Sequence, residues 1–291
     1  MAMRKKRFLL LLVILFSSNS SLGSTPLPAV TSDWAVAETL SILGVSPLAV
    51  AQLRNYQDWT GNEIITGEGI DIGLKPMPNL ELIADHEPEL LIGGNQILLQ
   101  HFSDIAPTLD ISLYPFTNNP WKEIIDFTFK IGEHLDLTDE AQVVITQANQ
   151  QLDTLNRKIK DKNKTILLVQ FRDDRHAWVY GKNSLLGGVI DRLGLTNAWD
   201  RPTSDIGLSV VSIDALARSE GHLFIIESPA YQDRIGQQLE SSAIWRELIS
   251  QREEKITYLQ ANYWPIGALP SALKFAESFT AALLTSESHL L

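Results

Sequence analysis

The sequence predicts an α/β protein in which two α/β lobes are bridged by one long helix and enclose a ligand cleft. Three observations lead to this prediction. Strand-like and helix-like apolar patterns alternate along residues 25–135, as in parallel sheets covered by helices. A second alternating series begins at residue 165, and residues 138–162 between them contain neither Gly nor Pro and repeat apolar residues at helical spacing. With 291 residues, 44% hydrophobic and 20% charged, the chain can bury a core in one or two domains.

Residues 1–23 have the pattern of an export signal. Four basic residues at positions 4–7 precede the apolar run of residues 8–16, and small residues follow at positions 21–23. The run is about half of the roughly twenty residues that a membrane span needs. A retained membrane anchor is the alternative. The remaining boundaries are expected at residues 24–137 for the N-terminal lobe, 138–163 for the interlobe helix and 164–291 for the C-terminal lobe.

Composition excludes several classes of protein. The formal net charge is −11 before four positive charges leave with the signal, and such an acidic chain repels nucleic acid and anionic lipid. There are no cysteines, which excludes disulfides and a lipidated cysteine. We expect a soluble protein of the periplasm.

The elements of the N-terminal lobe follow from caps and apolar runs. Asp33 caps a helix that Gly44 ends, and Asn79 caps a second, shorter helix. The predicted order is helix 33–44, strand 46–52, helix 79–87, strand 88–94, a brief helix 101–109 and strand 110–116.

The C-terminal lobe repeats the alternation after the long helix. The predicted order is strand 165–171, strand 177–181, helix 183–194, helix 212–220, strand 222–228, helix 241–250, strand 255–260 and a final helix 270–284. Trp245 falls on the apolar face of its helix and is predicted to lie in the core.

Two other tryptophans are candidates for ligand contact. Trp59 and Trp264 each follow a strand-like segment in a loop-like context. Loops at strand ends border the cleft of an α/β lobe, and an exposed indole there offers a large, rigid stacking surface. Simple packing is the alternative for both.

Lys75 is the candidate cation. It lies between Gly73 and two prolines, so a stiff turn aims its ammonium, which can donate to anionic oxygens. A solvated loop lysine is the alternative.

The chain carries no familiar catalytic or metal motif. The six histidines are dispersed, which argues against an imidazole metal site. The segment GKNSL lacks the upstream glycine of a phosphate loop, and no G-x-S-x-G occurs. We therefore expect a binding protein and not an enzyme.

Several segments together resemble a known family. They are TLSILGVSPLAVA, NYQDW, DIGLKPMPNLELI, DDRHAWVYGKNSLLGGVIDRLGLTNAW, VSIDALA and WPIGALPSALKF. In this order and spacing, over residues 33–283, they resemble the periplasmic ferric hydroxamate siderophore-binding family. That family belongs to the helical-backbone class of ABC-importer solute-binding proteins, which also has cobalamin- and haem-binding members.

The resemblance implies a set of ligand-binding residues. The family's N-lobe tryptophan and its basic residue sixteen positions later match Trp59 and Lys75, although the family has an arginine there. A lysine ammonium cannot form the planar bidentate pair with two hydroxamate oxygens that an arginine guanidinium forms. The family's C-lobe tryptophan matches Trp264, followed by Ile266.

Three further positions depart from the family pattern. Gln96 stands near the place of an expected tyrosine, and Ile206 and Leu208 replace a tryptophan and a serine. The pocket should therefore be less aromatic, and a citrate-based dihydroxamate or another ferric chelate remains an alternative to ferrichrome.

The resemblance also implies the function and the partners. The protein would capture a ferric siderophore and deliver it to an inner-membrane permease with its ATPase, as a monomer. Iron would stay coordinated by the siderophore, so no cofactor and no protein metal ligand are expected. Glu81 and Asp214 would dock on the permease, or else only stabilise helix N-termini. The alternatives are the same class carrying cobalamin or haem, an exported enzyme, and an adhesin.

Overall fold

The computed structural model describes residues 28–61, 64–65, 69–117, 119–160, 164–227, 236–237, 239, 241–252 and 256–288. The predicted export signal lies outside these residues. The α/β fold predicted from the sequence is confirmed, because helices alternate with the strands of two separate sheets.

The N-terminal half is built on a five-stranded parallel sheet with the strand order β3-β2-β1-β6-β7. Its strands are β1 (Ala29–Thr31), β2 (Ala49–Val50), β3 (Ile70–Asp71), β6 (Leu90–Gly93) and β7 (Thr108–Asp110), and β4 (Gly73–Leu74) and β5 (Met77–Pro78) form a separate hairpin. Its helices are α1 (Trp34–Ile42), α2 (Leu53–Thr60), α3 (Leu80–Asp85) and α4 (Gln96–Phe102).

Two helices that pack antiparallel to each other follow the first sheet. They are α5 (Pro120–His134) and α6 (Thr138–Ile159). The last residues of the predicted interlobe helix, 161–163, lie outside the described part of the chain. The buried stripe of α6 includes Ala148, Leu152 and Leu155. It packs on α5 and on the C-terminal helix α10 (Leu269–Ser288).

The C-terminal half is built on a mixed sheet with the order β11-β9-β8-β12-β13, to which β10 adds beside β8. The strands are β8 (Thr165–Phe171), β9 (His176–Tyr180), β10 (Thr196–Asn197), β11 (Leu208–Ser212), β12 (His222–Glu227) and β13 (Ile256–Gln260). Among the described strands of this sheet, β9 alone runs antiparallel to its neighbours, which are β8 and β11. The helices are α7 (Leu185–Arg192), α8 (Ile213–Ala217) and α9 (Ala243–Arg252).

One hydrophobic cluster runs through both halves of the molecule. It contains Trp34 and Leu40 of α1, Leu152 of α6, Phe224 of β12 and Phe275 of α10. The opposite faces of the two sheets have their own smaller clusters. Trp245 is 4% exposed in the C-terminal one, which confirms its predicted place in the core.

The helix and strand predicted for residues 101–116 are wrong in position. Asn95 accepts hydrogen bonds from the amides of Ile97 and Leu98 and thereby starts α4 at Gln96, several residues before the predicted helix. The following strand pairs with β6 only through Thr108–Asp110. Helices α2 and α5 and strands β1, β3, β4, β5, β10 and β11 were not predicted.

Among the described residues, no helix combines the length and the apolar character that crossing a bilayer would require.

Candidate functional site

Three tryptophans from distant parts of the chain meet between the two halves of the molecule. The ring centroid of Trp264 lies 4.8 Å from that of Trp34 and 5.0 Å from that of Trp59, both in edge-to-face geometry. Trp34 in turn lies 5.2 Å from Tyr56. Edge-to-face pairs at these distances add to the stability that burial alone provides. We call Trp34, Tyr56, Trp59 and Trp264 the aromatic cluster.

The positions of these side chains follow from the ends of strands. Trp34 begins α1 just after β1, and Trp264 lies in the connection between β13 and α10. Residues at the carboxyl ends of parallel strands border the cleft in open α/β sheets. The loop-like context expected for Trp59 is wrong, because Trp59 is the penultimate residue of α2. It is half-buried there, as is Trp264.

Lys75 completes the aromatic cluster with a cation. It lies at the turn between β4 and β5, and its Nζ is 3.3 Å from the centroid of the Trp34 ring. Such a contact attracts the ammonium to the negative face of the indole. Burial lowers the pKa of Lys75 to about 8, although the carboxylates of Asp33 and Glu38 act to raise it. A partly desolvated ammonium is a strong donor to an anionic oxygen.

Beneath the aromatic cluster, the buried carboxyl of Glu38 joins the two halves. It accepts a hydrogen bond from the Tyr56 hydroxyl at 2.8 Å, from the Ala268 amide at 2.7 Å and from the Ser271 hydroxyl at 2.7 Å. The Ser271 hydroxyl oxygen in turn accepts from the Trp264 amide at 3.0 Å. Desolvation raises the pKa of Glu38 to about 7, against the lowering effect of these hydrogen bonds.

Tyr114 holds the same segment from the other side. Its hydroxyl donates to the Gly267 carbonyl at 2.8 Å. A side chain at Gly267 would collide with Glu38, since a Cβ there would lie 2.4 Å from Glu38 Oε1. The segment that carries Trp264 and Ile266 is therefore fixed by contacts from the N-terminal half.

The chemistry of this arrangement is that of a binding site. Flat indoles beside one cation suit a bulky ligand with an apolar body and oxygen acceptors. Over the residues that the structure describes, His, Cys, Asp and Glu form no group of three that could hold a metal ion.

The other predicted lining residues are more dispersed. Ile206 and Ile266 are partly buried against the large hydrophobic cluster, and Leu208 is 7% exposed within it. Gln96, the first residue of α4, is exposed. The contacts described above bring together Trp59, Lys75 and Trp264. The four residues of this paragraph, Gln96, Ile206, Leu208 and Ile266, take no part in those contacts.

Both acidic residues predicted to dock on a permease are exposed. Glu81 lies in the first turn of α3 and Asp214 in the first turn of α8.

Sequence reasoning missed Trp34, Glu38 and Tyr114 as members of the site. Trp34 lacked the signal that indicated Trp264, because the strand before it, β1, was not predicted. Glu38 and Tyr114 offered no signal, because their partners are Ser271 and Gly267, 233 and 153 positions away in the chain.

Comparisons with known proteins agree on one kind of relative. A family model described as periplasmic binding protein matches residues 30–263. The iron(3+)-hydroxamate-binding protein FhuD of Escherichia coli (strain K12) is 29% identical over 191 residues, 65% of this chain and 64% of that protein. The match thus spans slightly less than two thirds of that relative's length. The Fe(3+)-citrate-binding protein YfmC of Bacillus subtilis (strain 168) is 23% identical over 252 residues, 84% of this chain and 76% of that protein.

Solved structures share the fold. The siderophore-binding protein FhuD of Vibrio cholerae, bound to Fe3+-Desferal, has a TM-score of 0.80 at 21% identity, covering 90% of this chain and 99% of that one. FhuD2 of Staphylococcus aureus with bound ferrioxamine B has a TM-score of 0.71 at 19% identity, covering 90% and 99%.

Proposed function

Because the chain belongs to the periplasmic binding protein family, we propose that it captures a ferric siderophore of the hydroxamate type for an ABC importer. The family match and the relatives confirm the resemblance found in the sequence motifs. The family is one of binding proteins, so the proposal assigns the chain no catalytic activity. The siderophore is the ligand, and iron stays within it.

The observation that carries this proposal is the aromatic cluster with Lys75 at its edge. A ferric hydroxamate has an apolar body and a ring of oxygens around the iron. Trp59 and Trp264 would stack on the body, while Lys75 would donate to the oxygens. Trp34 would hold the ammonium in place, since its ring lies 3.3 Å from Nζ.

A ferric chelate that contains citrate is the second candidate. Lys75 provides a point charge instead of the guanidinium fork that hydroxamate oxygens would favour. The Bacillus subtilis relative named for Fe(3+)-citrate supports this candidate. Cobalamin and haem are the remaining alternatives within the class.

Tryptophan fluorescence of the mature protein tests the proposal. The titrants are a ferric tris-hydroxamate, a ferric dihydroxamate built on citrate, a ferric catecholate, cobalamin and haem. We expect saturable quenching by a hydroxamate chelate. The affinity obtained from the titration should be at least tenfold weaker in Trp59→Ala and in Lys75→Ala. Lys122→Ala is the matched control, because that exposed lysine lies on α5 and pairs with Asp126.

Other outcomes would change the proposal in defined ways. Saturable quenching only by catecholate, cobalamin or haem would replace the ligand. No quenching by any titrant would contradict siderophore capture.

We further propose that the protein works in the periplasm as a monomer and docks on its permease through Glu81 and Asp214. Their exposure in the first turns of two helices supports this role. Stabilisation of helix N-termini is the alternative.

Charge reversal separates the two roles. We expect Glu81→Lys with Asp214→Lys to abolish uptake while ligand affinity stays within about twofold. Glu140→Lys is the matched control, because Glu140 is also an exposed acidic residue in the first turn of a helix. Normal uptake by the double variant would contradict docking.

A further inference from the structure

The C-terminal half carries a second cation on an aromatic ring. The guanidinium carbon of Arg172 lies 4.0 Å from the ring centroid of Trp178. Arg172 follows β8 directly, and Trp178 lies in the neighbouring strand β9. This pair resembles Lys75 on Trp34 in the other half of the molecule.

Sheet topology places Arg172 at the same edge as the aromatic cluster. Strands β8, β12 and β13 are parallel neighbours in that order, so their carboxyl ends share one edge. Arg172 follows β8, and Trp264 lies beyond the end of β13. The strands β8 and β13 themselves are two strand spacings apart, about 10 Å. Trp178 and Trp264 also pack against the same hydrophobic cluster.

Arg172 differs from the other charged residues of its loop. Asp173 contacts His176 at 3.1 Å, and Asp174 lies 3.8 Å from Arg175. Within the described ranges, no carboxylate lies within 4.0 Å of the Arg172 guanidinium. Strand β12 is a parallel neighbour of β8 and ends at Glu227, and the Glu227 carboxylate accepts a hydrogen bond from the Gln260 side chain.

The surroundings of the pair are open to solvent. Val210 lies opposite Trp178 in the register of β11 and β9, and it is 67% exposed. Arg172 itself is exposed. A guanidinium held over an indole still has N–H groups that can form a bidentate pair with a carboxylate.

We infer that Arg172, held on Trp178, is a second anion-binding group of the cleft, so that the preferred ligand is an anionic ferric chelate with a free carboxylate. The inference rests on the proposed function and refines its ligand class. Lys75 would contact the oxygens around the iron. Arg172 would contact a carboxylate at the far side of the chelate.

Two probes of different charge test the inference by calorimetric titration. One is a neutral ferric tris-hydroxamate. The other is a ferric dihydroxamate built on citrate whose two arms each carry a further carboxylate that does not bind iron, which leaves the chelate anionic. We expect Arg172→Ala to weaken binding of the anionic probe at least tenfold and that of the neutral probe less than twofold. Arg172→Lys should give an intermediate loss of affinity for the anionic probe, because the positive charge remains but the planar bidentate donor group does not.

Arg175→Ala is the matched control, since Arg175 lies in the same loop with a side chain that is 82% exposed. It should change neither affinity by more than about twofold.

Each remaining outcome contradicts either the inference about Arg172 or the proposed function. If the wild type binds the neutral probe more tightly, or if Arg172→Ala leaves the affinity for the anionic probe unchanged, the inference is wrong and the proposed function stands. Equal losses for both probes would also overturn it. If the wild type binds neither chelate, the proposed function fails as well.

Discussion

Glu38 is the residue on which the two halves of the site converge. It is fully buried, and its carboxyl accepts from Tyr56 on one side and from Ala268 and Ser271 on the other. Truncation to alanine would leave these donors without an acceptor, at a cost of about 1–3 kcal/mol for each buried group. Glu38 thus couples the position of Trp264 to α1.

The raised pKa of Glu38 predicts a pH dependence of stability. The pKa rises from 4.5 to about 7 on folding, so between these values the folded state holds a proton that the unfolded state has lost. The free energy of unfolding should therefore fall as pH rises from 4.5 to 7, by about 3 kcal/mol at most. Urea denaturation at several pH values measures this change.

Glu38→Gln supplies the comparison, because it keeps the shape and removes the titration. The stability difference between wild type and variant should change with pH across this window. A difference that is constant with pH would contradict the assignment, since all other titrating groups are common to both proteins.

Lys75 predicts a pH dependence of binding. Its pKa is about 8, so the ammonium is charged below that pH and neutral above it. Affinity for a ferric hydroxamate should fall as pH rises from 7 to 9. Lys75→Arg should bind with little change over this range, because a guanidinium stays protonated. Equal pH profiles for the two proteins would show that Lys75 does not contact the ligand.

Among single residues, the sequence indicated Lys75 and Trp264 through turn chemistry and a strand end. It indicated Trp59 through a loop-like context, where the structure has helix α2. It could not indicate Glu38, whose role depends on Ser271 at the other end of the chain. A buried carboxyl inside a helix that is apolar on most sides has no local signal.

At the level of elements, α6 supports the connection between the two halves. Leu152 is fully buried on α6, whereas Val143 on the same helix is 55% exposed. Leu152→Ala should lower the free energy of unfolding by about 2–5 kcal/mol through cavity formation. Val143→Ala should change it by no more than about 0.5 kcal/mol.

Urea denaturation measures both values. Similar effects of the two substitutions would contradict the packing of α6 on α5 and α10.

Element boundaries were predictable where caps were strong. Asp33 and Asn79 each accept a backbone hydrogen bond at a helix start, as predicted. Asn95 is an equally good cap, but the apolar residues after it continued the pattern of β6 and concealed the new helix. The two-residue strand β2 pairs with β1, and β3 pairs with β2. Such pairing is a tertiary effect that local patterns do not contain.

For the whole molecule, the continuous core argues against large motions of one half relative to the other. The large cluster includes side chains of α1, α6 and α10, and Glu38 adds hydrogen bonds across the same boundary. Hinge motion needs a few residues free to change their backbone angles, and this core restricts them. Small-angle scattering should show no change in the radius of gyration on ligand binding beyond experimental error. A clear decrease would contradict this rigid arrangement.

The alternation of strands and helices was sufficient to predict the α/β architecture. It could not predict that β9 runs antiparallel to β8, because a parallel and an antiparallel neighbour have similar apolar patterns. It also could not show that the aromatic cluster would draw residues from both ends of the chain, Trp34 and Trp264.

In the proposed function, a ferric chelate binds between the two halves beside the aromatic cluster. Anomalous X-ray diffraction at the iron edge, from crystals of the protein with a ferric hydroxamate, locates the metal directly. We expect one iron peak near Lys75 and Trp264, with hydroxamate oxygens around the metal and no protein ligand. A peak elsewhere on the protein, or iron coordinated by side chains, would contradict the proposed function.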